Sequence, residues 1–395
     1  MGVIYRGSLC TIMALQSANP EGGCFAIRNP LQNRPCHLSK LSSICIGNVA
    51  SMQPPTGALL RRGWVVQERV LSSRTLYYDA DQILWGCVAS NADESFPMMT
   101  GAMTNPKKSF VSLPVLMNLP KRPPRTFTLV DGWEFYDSWI GLLSYYTSCQ
   151  LTRASDRLVA SQGMIAIIRQ ATSLHSIAGL WREMIARELL WFTCAGQPHA
   201  SGSLRLPTWS WMSVDSRVDN NTVNLVTRGY RLSFELSLHR STQKMKETKM
   251  GQLWLANLYV MAAMEPFSEA CQTSIACRGR AAFSENSEDT TIDIGDEQRD
   301  QRQSFWCLDR EEPIEQDLFA VLVVRGKSAQ SLPNTNRLDP GSCICDMGIV
   351  VTKFDRGTFG TWSYRRVGYF EQHYRSRDTH PIFSSVLKPV SLTLT

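Results

Sequence analysis

Long apolar runs are absent from this chain of 395 residues. No stretch approaches the ~18 to 20 residues that a bilayer-spanning helix needs, which argues against a transmembrane helix. A secretory leader is not expected either. Leu9 to Leu15 is short, interrupted by Thr11, and lacks a basic flank; a core strand is the expected reading. Met1-Gly2 invites N-myristoylation, but Arg6 stands where Ser or Thr is wanted. No Cys-x-x-Cys pair, Gly-x-Ser-x-Gly elbow, Walker loop or Gly-x-Gly-x-x-Gly turn occurs. These absences remove the commonest signatures of zinc ribbons, α/β-hydrolases and nucleotide-binding folds. Repeats of solenoid or propeller period are missing too. Extreme charge is also lacking: a formal charge of +6 over this length is a weak argument for nucleic acid.

What is present suits an ordinary globular protein of about two to three domains, with 43% hydrophobic and 19% charged residues. Its 12 cysteines are scattered singly, and the expectation is reduced, mostly buried thiols in an intracellular, cytoplasmic protein. Cys343 and Cys345 are the tightest pair. One intervening residue is a poor zinc spacing, and no His lies near them in sequence, so neither a metal nor another cofactor is expected. Charge is uneven: residues 1 to 130 hold 13 Lys or Arg against 6 Asp or Glu. Residues 284 to 302 hold 7 acidic and 2 basic residues with almost no apolar ones, and are expected to form a flexible insertion at about 284 to 304. Between Met98 and Arg125, five prolines sit among basic residues. This reads as a solvated linker rather than a nucleic-acid patch, because no aromatic platform interleaves it.

Periodicity predicts an α+β chain. A helix is expected from near Gly63. A hairpin is expected from Leu76–Tyr78 and Ile83–Val88 around Asp79-Ala80-Asp81-Gln82. Trp139, Leu142, Leu143 and Tyr146 mark a helix over Trp133 to Tyr146. Ser155 would cap a second over Asp156 to Arg169, and Leu180, Trp181, Met184, Ile185, Leu189 and Leu190 make a third stripe. From Val223 onward the chain reads as β-rich. Strands are expected over Tyr230–Leu238, Leu253–Ala262, Phe319–Val324, Gly348–Lys353 and Arg365–Phe370, with a turn at Asp355-Arg356-Gly357 and Gly360. The expected divisions are 1–97, a linker at 98–130, a helical region at 131–222 and a β-rich module at 223–395.

Several stretches, in order over some 370 residues, resemble fungal heterokaryon-incompatibility (HET) domain proteins. Met1-Gly2-Val3-Ile4-Tyr5, Thr11-Ile12 with Ala14, Gly22 to Phe25 and Arg28 to Leu31 are similar to the end of the HET domain proper. Arg62 to Arg74, with Trp64, Gln67, Glu68 and Arg69, resembles the family's R-G/A-W-T-x-Q-E-x-L-L-S-x-R motif, with Val65 for Thr and Val70 for Leu. Asp81, Gln82, Trp85 and Cys87 follow the D-Q-x-x-W/F-E-C strand, with Gly86 for Glu. Leu151-Thr152 and Asp156 to Gly163 resemble L-T-x-x-x-D-K/R-L-x-A-x-x-G. Ala178 to Trp181 with Leu189 to Trp191 resembles the A-G-L-W…L-L-W helix. Trp209, Ser210 and Trp211 match P-S/T-W-S-W, and Tyr364 to Phe370, with Arg366 and Gly368, matches Y-x-R-V/I-G-x-F. The family's opening A-L-S-Y-x-W-G and W-I-D-x-L/I-C-I segments do not appear, so the resemblance implies a chain that starts inside the domain.

The resemblance implies an N-terminal remnant of a TIR-like α/β HET domain, a helical middle region and a β-rich C-terminal module. It implies fungal non-self recognition and programmed cell death signalling, through protein partners or self-association. Some TIR domains cleave NAD, so the alternative is an NAD hydrolase in full-length form, inactive in this chain. The residues themselves give no catalytic set. Glu68 as acid or base and Arg69 as anion clamp compete with a packing turn in which Trp64, Val65 and Leu71 bury and Glu68 pairs with Arg62 or Arg69. Trp209 and Trp211, if extended, share one face and would suit a ring platform; buried packing is favoured. Trp181 and Trp191 read as core residues of an amphipathic helix. Cys87 lacks a recognisable base and reads as a small buried hydrophobe.

Overall fold

The computed structural model describes residues 2–17, 20–28, 57–87, 91–94, 133–153, 156–172, 174–193, 206–220, 230–235, 237–238, 258–267, 305–309, 317–328, 343–356, 361–375, 381–383 and 386–395, with two-residue strands at 36–37, 45–46, 246–247, 253–254 and 276–277. The proline-rich linker, the acidic stretch, Ser155, Gly357 and Gly360 lie outside the described residues. The chain divides into two compact units, Met1–Leu174 and His175–Thr395. That division falls inside the stretch read from sequence as one helical region. Among the described residues no helix is long and apolar enough to cross a membrane.

In the first unit, β1 (Thr11–Ala14) pairs in parallel with β2 (Arg74–Tyr78). Parallel neighbours need a crossover, and α1 (Gly63–Leu71) lies on the connecting stretch. The chain then reverses through the expected hairpin into β3 (Ile83–Cys87) and β4 (Asn91–Asp93). The Asp79 carboxylate accepts from the Ala80 N–H at 2.7 Å and from Gln16 Nε2 at 2.7 Å, which makes it a turn former rather than half of a carboxylate pair. Met13, Leu15, Leu60, Val65, Tyr77 and Leu84 form the core beside the sheet. The helices α2 (Trp133–Ser148) and α3 (Asp156–Thr172) follow as expected, and both pack on α1.

Among the described residues, the second unit is built on a nine-stranded sheet. Its long members are β5 (Tyr230–Glu235), β6 (Leu258–Pro266), β7 (Phe305–Leu308), β8 (Leu318–Ser328), β9 (Cys343–Arg356), β10 (Trp362–Arg375) and β11 (Pro389–Leu394). The order of pairing β8–β6–β11–β10–β9 returns to β8. The five strands therefore close into a ring, which gives each of them a neighbour on both sides. β8 reads as a continuous apolar run because both of its faces are covered: Ala320 to Val324 are all at most 1% exposed. One face of the ring packs Ala263, Phe267, Ala320, Leu322, Val350, Phe370 and Phe383. Gly348 is required there, since a Cβ would lie 2.1 Å from the Val321 carbonyl and 2.6 Å from the Phe370 ring.

The third expected helix is not formed. Leu180–Trp181 pairs with Ser176–Ile177 as a small hairpin, followed by a 3-10 turn at Arg182–Met184 and a single helical turn at Ile185–Glu188. Ala178 and Gly179 have φ of 47° and 84°, the positive values that two-residue hairpin turns require. The stripe residues are apolar because they are buried, while Arg182 and Glu183 between them are exposed, so their spacing imitates a helix face. Trp181 and Trp191 are buried, but on short strands.

Candidate functional site

The motif residues of the first unit converge on α1. Trp64 Nε1 donates to the Asp156 carboxylate at 3.4 Å, tying the start of α3 to α1. Gln67 is buried, and its Oε1 accepts no hydrogen bond. Its amide lies against Gly163, where a Cβ would approach Nε2 to 2.0 Å. The glycine thus lets the two helices meet over an amide. Among the described residues, Glu68 has no arginine partner. Its partner is the Tyr5 hydroxyl, whose pKa is raised by burial and by the Glu68 carboxylate.

Arg69 donates from Nε to Tyr77 Oη at 3.0 Å, stacks over the same ring at 5.3 Å, and is bonded to Tyr145. Burial opposes its charge, but the two phenols outweigh burial and hold it protonated. Tyr145 in turn donates to the Leu60 carbonyl at 3.0 Å. Beside it, Cys149 donates to the carbonyls of Leu60 and Tyr145, and burial pushes its thiol up to about 11. That cysteine is no nucleophile at neutral pH. Asp81 is exposed in the hairpin turn, and Gln82 closes that turn through its carbonyl, which accepts from the Asp79 N–H at 3.0 Å. Trp85 sits mid-strand opposite Leu76 and Ala92. Cys87 ends β3, half-buried and opposite Arg74.

The second unit gathers two other motif segments, Leu189 to Trp191 and Thr208 to Trp209, around the motif arginine Arg366. Arg366, fully buried on β10, donates to Asp309 at 2.8 and 3.3 Å, to the Leu189 carbonyl at 2.5 Å and to the Trp191 carbonyl. Its guanidinium lies 3.5 Å above the Trp191 ring. Trp191 Nε1 donates to the Trp209 carbonyl at 2.9 Å, and the Arg366 N–H reaches Thr208 Oγ1 at 3.0 Å.

Trp209 and Trp211 are not on an extended strand. Trp211–Ser213 is a 3-10 turn capped by Ser210, whose side chain accepts from the Met212 N–H. Both rings are buried, at 0% and 1% exposure, so no ligand platform is formed. Trp211 Nε1 donates to the Gly179 carbonyl, and Ser210 Oγ to the Ala178 carbonyl. A Cβ at Gly179 would strike Met212 at 2.6 Å. The A-G-L-W and W-S-W motifs are therefore two halves of one packing contact. Gly368 has a similar reason: a Cβ there would lie 2.5 Å from the Cys307 carbonyl.

Metal-type donors converge elsewhere. Cys345, Glu371 and His373 place their ligand atoms within 4.8 Å of one another. His373 Nε2 lies 2.7 Å from Glu371 Oε1 and 3.8 Å from Cys345 Sγ. Linear order hides this set, because 26 and 28 residues separate Cys345 from Glu371 and His373. The only linear signal is Glu-x-His within a strand, which puts both side chains on one face. Compared with known proteins, the chain matches no protein-family model, no curated protein and no solved structure.

Proposed function

We propose that this chain is a HET-domain-like signalling module of fungal non-self recognition, acting through protein contacts or self-association rather than through chemistry of its own. The ordered motifs carry the family part of this reading. The observation favouring contact over catalysis is how the motif side chains are used. Gln67, Trp181, Trp209, Trp211 and Arg366 are buried, while Glu68 and Arg69 face phenols rather than a pocket with a nucleophile and base.

The first unit also offers a contact surface. Val3, Ile4, Leu9, Ile12, Phe25 and Ile27 are each more than 60% exposed. Among the described residues β1 is the end strand of its sheet. Parallel strands are normally covered on both faces, and Ile12 on this edge strand with Leu9 just before it, at 61% and 80% exposure, suit a protein partner. The alternative, NAD hydrolysis by a full-length form, would ask Glu68 to act at a ribosyl centre while bonded to Tyr5.

Inducible expression in a filamentous fungus tests the proposal. Growth arrest with uptake of a vital dye is expected. Ile12→Lys combined with Leu9→Lys, both on exposed side chains, should abolish it without loss of folded protein. Unchanged growth with the wild-type chain expressed and folded, or arrest that survives the double substitution, would count against it.

A further inference from the structure

We infer that Cys345, Glu371 and His373 form a binding site for one zinc-class divalent cation within the C-terminal sheet. The site follows from strand register. Cys345 on β9 lies directly opposite His373 on β10, and Met347 lies opposite Glu371. Because side chains alternate, Glu371 and His373 point to the same face as Cys345. That face is closed: Cys345 is 0% exposed, and the Glu371 and His373 side chains are each 4% exposed.

The donor types are those zinc selects: thiolate sulfur, imidazole nitrogen and carboxylate oxygen. The spacing is close as well. Tetrahedral zinc with ordinary bond lengths would separate sulfur from nitrogen by about 3.6 Å and nitrogen from oxygen by about 3.3 Å. The observed separations are 3.8 and 2.7 Å, and all three ligand atoms lie within 4.8 Å of one another, so the donors are grouped on the scale of one ion, which would replace the Glu371–His373 hydrogen bond. Tyr369 Oη donates to Glu371 Oε2 at 3.1 Å, which holds Oε1 toward His373, as outer hydrogen bonds commonly orient a ligating carboxylate.

Charge balance favours the same reading. A thiolate, a carboxylate and a neutral imidazole carry two negative charges, and a divalent cation cancels them in a site that water does not solvate. The adjacent bidentate pair of Arg325 with Asp346, bonded at 2.6 and 2.7 Å, is already balanced and lends no charge. Three protein donors leave a fourth position for water or another oxygen donor. The expectation of no metal rested on linear spacing alone, which strand pairing bypasses.

The full chain, stripped with chelator and titrated with Co²⁺ or Zn²⁺ alone, tests this. One equivalent of Co²⁺ should be retained through gel filtration, with a thiolate-to-cobalt charge-transfer band in the near ultraviolet. Zn²⁺ should displace it. X-ray absorption of the zinc-loaded wild-type chain should show one sulfur among nitrogen and oxygen neighbours. Cys345→Ser should remove the band, and Glu371→Gln should weaken retention at least tenfold, while Cys149→Ser leaves both unchanged. Retention below a tenth of an equivalent, a shell with no sulfur or with two, or a band that survives Cys345→Ser would overturn the site. The wild-type absorption measurement decides even where a variant fails to fold.

Discussion

Removing the Asp309 carboxylate should destabilise the second unit more than any surface change. Asp309 is the counter-charge of Arg366, and their side chains are 4% and 0% exposed. Asp309→Ala leaves a guanidinium that water cannot reach, with two backbone carbonyls and the Trp191 ring as its remaining neighbours. Breaking one partner out of a buried pair costs about 3 to 5 kcal/mol, a large part of the roughly 5 to 15 kcal/mol that holds a domain folded.

Arg366→Leu should cost a similar amount, because it strands the carboxylate and leaves the Leu189 and Trp191 carbonyls without that donor, at ~1 to 3 kcal/mol for each buried polar group so left. The double variant Asp309→Leu/Arg366→Leu removes both charges. It should cost less than the sum of the single changes by about 2 kcal/mol or more, since direct partners are not additive. Urea unfolding followed by tryptophan fluorescence, with Trp191 lying beneath the guanidinium, measures the cycle. A loss under ~1 kcal/mol for Asp309→Ala, or strict additivity, would refute the assignment of this pair as the organiser of the motif segments.

Three further outcomes follow from particular contacts. Gly368→Ala should cost about 1 to 3 kcal/mol by overpacking, because its Cβ meets the fixed Cys307 carbonyl; a neutral result in the same urea assay would contradict this. Gly163→Ala should destabilise the wild-type chain, yet become neutral or stabilising by up to ~1 kcal/mol of helix propensity in a Gln67→Ala background, where the obstructing amide is gone; thermal melts of the four proteins read the sign. The buried Cys149 thiol, at about 11 against an ordinary 9.0, keeps its proton in the folded chain while the unfolded chain releases it. The contribution of Cys149 is therefore full below pH 9 and lost as pH rises from 9 toward 11. The stability gap between wild type and Cys149→Ala should narrow by on the order of 2 kcal/mol over that range, and a constant gap would show that burial does not govern this thiol.

Elements with clear periodicity were legible in the sequence. The helix from Gly63, the hairpin around Asp79 to Gln82, the helices at Trp133 and Asp156 and the strands around Val321, Val350 and Val367 form as read. The failures share a cause. In Leu180 to Leu190, and in Trp209 to Trp211, tertiary burial sets the apolar spacing whatever the local backbone does, so neither period can be trusted. Contacts between distant segments were equally hidden. Nothing in Arg366 announces Asp309 or the Leu189 carbonyl, and nothing in Cys345 announces His373, because register sets both meetings. Arg69 illustrates the same limit. Its sequence neighbour is a carboxylate, yet its partners are phenols from β2 and α2.

If the motif residues around α1 serve contact rather than catalysis, the chain leaves NAD intact. Nicotinamide release from NAD by the purified full chain tests it most directly, with Glu68→Gln in parallel. No release above a protein-free blank is expected for either protein. Multiple turnovers by the wild-type chain that Glu68→Gln abolishes would contradict it.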